Sequence, residues 1–236
     1  MHDSPVAVIT GGTGALGKTL LPLLVRRNFK LAVTYLIPEE ATSLEDSLGL
    51  DESQLLLRRV DASDSDAVDD FMREAADRFG PFNVMASLVG GWAGGRMVHE
   101  TDNLRFDRML DLNLRSAFYT IRAAIPYMRD AEWGRIIAIG SRAALDTPAA
   151  QAAFNISKAG VVALIKTLAV ELDDTAITAN VVLPSVIDTA ATRAALPYAD
   201  YINWPKPAEI AVVIDFLASR NAQVINGAAI PVHGQT

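Results

Sequence analysis

Residue types that could do chemistry recur at telling places in this sequence. Gly12, Gly14 and Gly17 form a literal GxGxxG between an apolar run, Val6–Thr10, and a helical pattern opening at Ala15. Between a strand and a helix those glycines have a mechanism. They permit a tight turn, let the backbone approach a pyrophosphate and seat that anion on the helix N-terminus. The plain alternative is a glycine-rich turn that binds nothing. Ser141 follows the run Ile136–Gly140. A hydroxyl there stands at the carboxyl end of a strand, where open α/β sheets take ligands, or is an ordinary turn serine. Lys158 falls on a helical stripe of Phe154, Val161, Ile165 and Leu168. An amine on such a face either snorkels to water or is held for use. Asn113 lies inside a stripe of Phe106, Leu110, Ala117 and Ile121. An amide there needs partners, which backbone groups or a ligand can supply.

Periodic short strands and longer helices must position these groups. Strands are expected at Val6–Thr10, Leu31–Leu36, Gln54–Val60, Val84–Val89, Arg135–Ile139, Ile177–Leu183 and Ala228–Val232. Helices are expected at Ala15–Arg27, from Pro38 to about Leu48, and from a Ser63 cap to about Phe79. Two long ones cover roughly Leu104–Met128 and Gln151–Leu172, and shorter ones Asp188–Leu196 and Ala208–Ala218. Strands alternating with helices predict βαβ units in a doubly wound Rossmann α/β fold, with about seven parallel strands and helices on both faces. No repeat or linker interrupts residues 1–236, so a single domain is expected.

Composition narrows the function. The 236 residues carry a formal net charge of −7, and no Lys/Arg run suits a nucleic-acid backbone. The absence of cysteine excludes thiolate catalysis and disulfides. His2, His99 and His233 lack metal-ligand spacing, so no metal site is expected. The N-terminus has no basic n-region, and the apolar runs break well short of the ~20 residues of a membrane span. The expectation is a cytoplasmic protein with no membrane partner.

From the glycine turn onward the chain resembles the short-chain dehydrogenase/reductase family, over about residues 5 to 234. Thr10, Gly11 and Gly17 meet the family's TGxxxGxG, with Ala15 at its middle glycine. Asp61-Ala62 matches the pair that meets the adenine, and Gly90 ends the stretch where the family reads NNAG; here it is Ser87-Leu88-Val89-Gly90. Asn180–Pro184, Ile187-Asp188-Thr189, Ile225-Asn226-Gly227 and Val232-His233-Gly234 continue the likeness, with Ser185 replacing a usual glycine. The resemblance implies a nicotinamide dinucleotide held by Gly11, Gly12, Thr13, Gly14, Leu16, Gly17, Tyr35, Asp61, Ala62, Gly90, Lys158, Pro184, Ile187 and Thr189. An acid after the second strand selects NAD and an arginine selects NADP. Tyr35-Leu36 is neither and Glu39 and Glu40 come late, so NAD and NADP are not distinguished.

The same resemblance assigns catalysis. Asn113 supports the lysine, Ser141 orients a carbonyl, and Lys158 holds the ribose and acidifies a tyrosine that otherwise titrates near about 10. That tyrosine's position, one turn before Lys158, holds Phe154. The leading expectation is an oxidoreductase acting on the carbonyl or alcohol of a small molecule. A water held by Ser141 and Lys158, Tyr198, Tyr201 or His99 could replace the missing acid. A dinucleotide-binding scaffold or sensor, or a non-redox lyase or isomerase, would use the same pocket. Trp92, Leu196, Tyr198, Tyr201 and Trp204 are expected walls of that pocket. The family's pairing of its two long helices implies a homo-oligomer, most simply a tetramer; here Ala163 and Val170 lie off the buried stripes.

Overall fold

Successive strand residues face opposite sides of a sheet, and in this chain both sets are apolar. Ala7, Ile9, Leu31, Val33, Val84, Ala86, Ile137, Ile139 and Val182 pack on one face. Val6, Val8, Met85, Ile136, Ala138 and Val181 pack on the other. Such strands need cover on both sides. The computed structural model describes residues 4–235 and supplies that cover.

The strands are β1 (Val6–Thr10), β2 (Lys30–Tyr35), β3 (Leu55–Arg59), β4 (Val84–Ser87), β5 (Gly134–Ile139), β6 (Ile177–Pro184) and β7 (Ala229–Val232). They form one sheet in the order β3-β2-β1-β4-β5-β6-β7 with every pairing parallel. This is the expected doubly wound Rossmann fold. The direction of winding reverses between β1 and β4, which places a crevice at their carboxyl ends. Helices α1 (Ala15–Arg26) and α2 (Pro38–Leu48) follow β1 and β2, and α3 (Ser65–Phe79) follows β3. Then come α4 (Asn103–Leu110), α5 (Ser116–Arg129), α6 (Ala143–Asp146), α7 (Ala152–Glu171), α8 (Ala190–Ala195) and α9 (Pro207–Leu217). Leu16, Leu20, Leu21 and Leu24 of α1 join Ile210, Ala211 and Ile214 of α9 over one face. Phe71 of α3, Ile121 of α5 and Ile165 of α7 cover the other.

Two local features differ from expectation. The long helix expected over Leu104–Met128 is α4 and α5 joined by a π-helical turn, Asp111–Arg115. Its buried side runs through Met109, Asn113, Ala117, Ile121, Ala124 and Met128, whereas Phe106 is exposed and Leu110 half-buried. The cap of α3 is Asp64, which accepts from the amides of Asp66 and Ala67 at 3.1 and 3.2 Å. Ser63, expected there, instead donates through its hydroxyl and amide to Asp61 at 2.7 and 2.9 Å. Helix α7 has the length and the mean hydropathy, 1.4, of a membrane span, although Asn155, Ser157, Lys158 and Lys166 break its apolar runs as expected. Its buried side explains that composition: Val161, Ile165 and Leu168 belong to the core under the sheet.

At the far end of the sheet, Arg135 of β5 is buried, and among the described residues no carboxylate pairs with it. It donates to the carbonyls of Ser219 at 3.0 Å, Gly134 at 2.7 Å, and Ala176 and Arg220 at 3.3 Å. One guanidinium thereby fastens β5 to the turn before β6 and to the segment after α9. Burial and the neighbouring Arg220 both lower its pKa.

Candidate active site

The carboxyl ends of β1, β4, β5 and β6 open on one cleft of about 820 Å³. Its first wall is the glycine turn. Gly11, in the left-handed region at φ +72°, and Gly14 face the cleft with Ala15 and Leu16. Gly12 and Gly17 face inward. A Cβ on Gly12 would stand 2.2 Å from Val33, and one on Gly17 2.1 Å from the Gly12 oxygen. These two glycines let α1 close onto the turn. The turn is tied to β2, because Gly12 N donates to Thr34 O at 3.0 Å and Gly11 N to Thr34 Oγ1 at 3.1 Å. No side chain caps α1 at Gly14, so its first-turn amides remain available at the cleft for an anion.

The second wall comes from β4, β5 and α7. Lys158 reaches back from α7 and donates from Nζ to Ile139 O, at the end of β5, at 2.8 Å. It is 4% exposed, and burial lowers its pKa from 10.5 to about 8. A Cβ on Gly90 would meet Lys158 Nζ at 3.0 Å and Asn113 Oδ1 at 2.9 Å. A side chain at position 90 would therefore fill the space beside both groups. Ser141 Oγ accepts from Ala143 N at 3.1 Å, which leaves the hydroxyl proton to donate elsewhere. Phe154, one turn before Lys158, turns its ring into the same cleft against Met109, Ala143 and Ala153. The structure thus brings Ser141, Phe154 and Lys158 together.

Asn113 sits at the centre of the π turn. Its Oδ1 accepts from Gly91 N at 3.0 Å, and its Nδ2 donates to Gly91 O at 3.0 Å and Met109 O at 3.2 Å. The amide holds the loop after β4 from both sides and makes no direct hydrogen bond to Lys158. Pro184, Ile187 and Thr189 line the cleft, and Thr189 Oγ1 also caps α8 by accepting from Thr192 N at 3.1 Å. Thr13 and Ala62 are buried beneath the surface. Tyr35 and Asp61 lie outside the walls of this cleft, toward the β2–β3 side, where one carboxylate oxygen of Asp61 is taken by Ser63.

The pocket walls are partly as expected. Trp92, Leu196 and Trp204 line the cleft. Tyr198, at 101% exposure, does not, and Tyr201 packs beneath the Arg193 guanidinium at 4.0 Å, held there by the Arg193–Asp188 pair. His99 lies in an exposed single turn, Val98–Glu100. None of these three groups lines the cleft in which Ser141 stands. Sequence reasoning missed Arg142, Asp146 and Gln151, which do line the cleft. Arg142 pairs with Asp146 at 2.6 Å, and Gln151 accepts from Trp92 Nε1 at 2.6 Å. The i,i+4 spacing of Arg142 and Asp146 was the only signal. His2 lies outside the described residues. Among the described residues, no three His, Asp or Glu side chains converge as a metal site.

Strand order, glycine turn and carboxyl-edge cleft define a doubly wound chain of the Rossmann type. Residues 5–198 match the short chain dehydrogenase family, and the chain belongs to that family of oxidoreductases. It is 33% identical over 235 residues to the 3-oxoacyl-(acyl-carrier-protein) reductase MabA of Mycobacterium bovis, covering 96% of this chain and 90% of that one. It is 30% identical over 196 residues to a D-beta-hydroxybutyrate dehydrogenase of Rhizobium meliloti, covering 81% and 74%. A solved short-chain dehydrogenase/reductase from Serratia marcescens superposes with a TM-score of 0.90 at 29% identity, covering 98% and 97%.

Proposed function

We propose that the chain, as one domain, is an NAD(P)-dependent reductase of a small carbonyl compound in which Phe154 stands where the family uses its catalytic tyrosine. The observation that carries this reading is the single cleft on which the glycine turn, Ser141, Phe154 and Lys158 converge. The residues fit a dinucleotide. The uncapped start of α1 with Gly11 and Gly14 would hold the pyrophosphate, and the space beside Gly90 and Lys158 would admit a ribose. Thr189, Ile187 and Pro184 would border the nicotinamide, and Tyr35, Asp61 and Ala62 the adenine side. When bound, the nicotinamide supplies the hydride.

The chain's own groups do the rest. Ser141 donates a hydrogen bond from its hydroxyl to the substrate carbonyl oxygen and orients it. Phe154 supplies shape and excludes water but has no proton to exchange. Lys158 is the buried titratable group of the cleft, and a water held between it and Ser141 passes the proton to the developing alkoxide. Asn113 keeps the Gly91 loop, and with it the floor at Gly90, in place. The MabA likeness favours 3-oxoacyl thioesters as the substrate class, and the apolar walls at Trp92, Leu196 and Trp204 suit an acyl chain.

A second reading, binding without turnover as a scaffold or sensor, is favoured by Phe154 itself. The exposed apolar residues Phe118 and Val170 on the long helices support a homotetramer, with the protein working free of membrane and nucleic acid in the cytoplasm. The test is titration with NADH and NADPH, then a rate screen on ketones and 3-oxoacyl thioesters. Turnover supports the reductase, binding alone supports the second reading, and no binding overturns both.

A further inference from the structure

The β2–β3 edge carries a cation that the reaction does not use, and its role rests on the dinucleotide reading above. Tyr35, at the end of β2, pairs with Arg59 at the end of β3. The Arg59 side chain crosses back over that register, and its Nε donates to Leu36 O at 3.1 Å. This bond uses one of the guanidinium's five donors and pins the group beside the chain just past β2. Its neighbour Arg58 is committed elsewhere, to a bidentate pair with Glu74 on α3. Among the described residues, no carboxylate lies within ion-pair distance of Arg59.

The same strand end holds the glycine turn, through the two bonds to Thr34 given above. The pyrophosphate turn and the Leu36 carbonyl therefore form one unit, with Arg59 fixed to it. In folds of this kind the chain just past the second strand meets the adenosine ribose. An acid there binds the ribose diol, and a nearby arginine accommodates a 2′-phosphate. Tyr35 and Leu36 can do neither, and the cation arrives instead from the adjacent strand. We infer that Arg59 reads the adenosine 2′-phosphate, so that the protein prefers NADP(H) to NAD(H). A planar guanidinium suits a phosphate because it makes two parallel charge-assisted bonds. Glu39 and Glu40, in the first turn of α2, are placed as helix starts favour. Their charge opposes the phosphate and moderates the preference.

The experiment measures dissociation constants of NADPH and NADH by nicotinamide fluorescence for the native protein, Arg59→Ala and Arg59→Lys, with melting temperatures alongside. Native protein is expected to bind NADPH about 10–100-fold more tightly than NADH, the range for hydrogen bonds to a charged group. Arg59→Ala should lose that margin, with NADH binding changed by no more than about twofold because that ligand lacks the phosphate. Arg59→Lys should keep part of it. Competition by 2′,5′-ADP against 5′-ADP on native protein makes the same comparison without a variant; the 2′-phosphate should improve competition. Native protein that binds NADH as tightly as NADPH overturns the inference alone. So does equal weakening of both ligands in a variant that melts like the native protein. Failure to bind either dinucleotide overturns the proposed function, and this inference with it.

Discussion

At the scale of the residue, the site is a lysine without its usual partner. Burial disfavours the ammonium of Lys158 and brings its pKa from 10.5 down to about 8. The protonated form therefore dominates below about pH 8 and is lost above it. If this ammonium supplies the proton, the reduction rate should be level below about pH 8 and fall roughly tenfold per unit above it. Lys158→Met should remove both the plateau and most of the rate. A native profile that is flat through pH 9 would take Lys158 out of the proton path. Ser141, Phe154 and Lys158 were legible as a group through the family resemblance; the residues alone place one at a strand end and two on one helix face. Tyr198, Tyr201 and His99 were misplaced for the opposite reason. Loop residues have no period, and only the fold shows that Tyr201 stacks with Arg193 and does not line the cleft. The Arg59 contact was equally hidden, because it depends on the register between β2 and β3.

At the scale of the element, packing rather than propensity fixes the site. Gly17 is required where α1 meets the turn, because a Cβ would stand 2.1 Å from the Gly12 oxygen. Gly17→Val should lower the melting temperature and abolish dinucleotide binding, as read by a thermal melt and a fluorescence titration. Retained affinity would remove the glycine turn from the binding site. Arg135 makes a separate claim about the opposite edge of the sheet. Arg135→Met leaves buried carbonyls without donors and should cost on the order of 1–3 kcal/mol in denaturant unfolding, without altering dinucleotide affinity. An unchanged unfolding midpoint would show that the buried guanidinium adds nothing net. The strands were readable because their apolar runs face cover on both sides. The GxGxxG was readable because its strand-to-helix setting gives it a mechanism. The π turn was not, since an inserted residue leaves no mark in a composition of Leu112, Asn113 and Leu114. It shifts the buried side to Met109 and Asn113, and Phe106 falls outside it. The cap of α3 moved from Ser63 to Asp64 because Asp61 captures the serine first.

At the scale of the molecule, α4, α5 and α7 leave large apolar side chains exposed. Leu104 is 79% exposed, Phe118 43% and Val170 71%. Burying such a surface between copies is favourable by about 25 cal/mol per Å². Light scattering at micromolar concentration should therefore report a tetramer; a monomer would contradict the proposed assembly. In the proposed reductase the hydride geometry is intact and position 154 lacks only an acid. Its most direct test is steady-state reduction of a panel of ketones and 3-oxoacyl thioesters, by the native protein and by Phe154→Tyr, with dinucleotide affinity measured in parallel. The variant adds one hydroxyl to a ring already seated beside Ser141 and Lys158. It should bind the dinucleotide as the native protein does and reduce a fitting substrate faster, by up to roughly 10²–10⁴. A substantial native rate left unchanged by Phe154→Tyr, or a variant that binds the dinucleotide and stays inert on every substrate, would rule out an intact site missing only its acid.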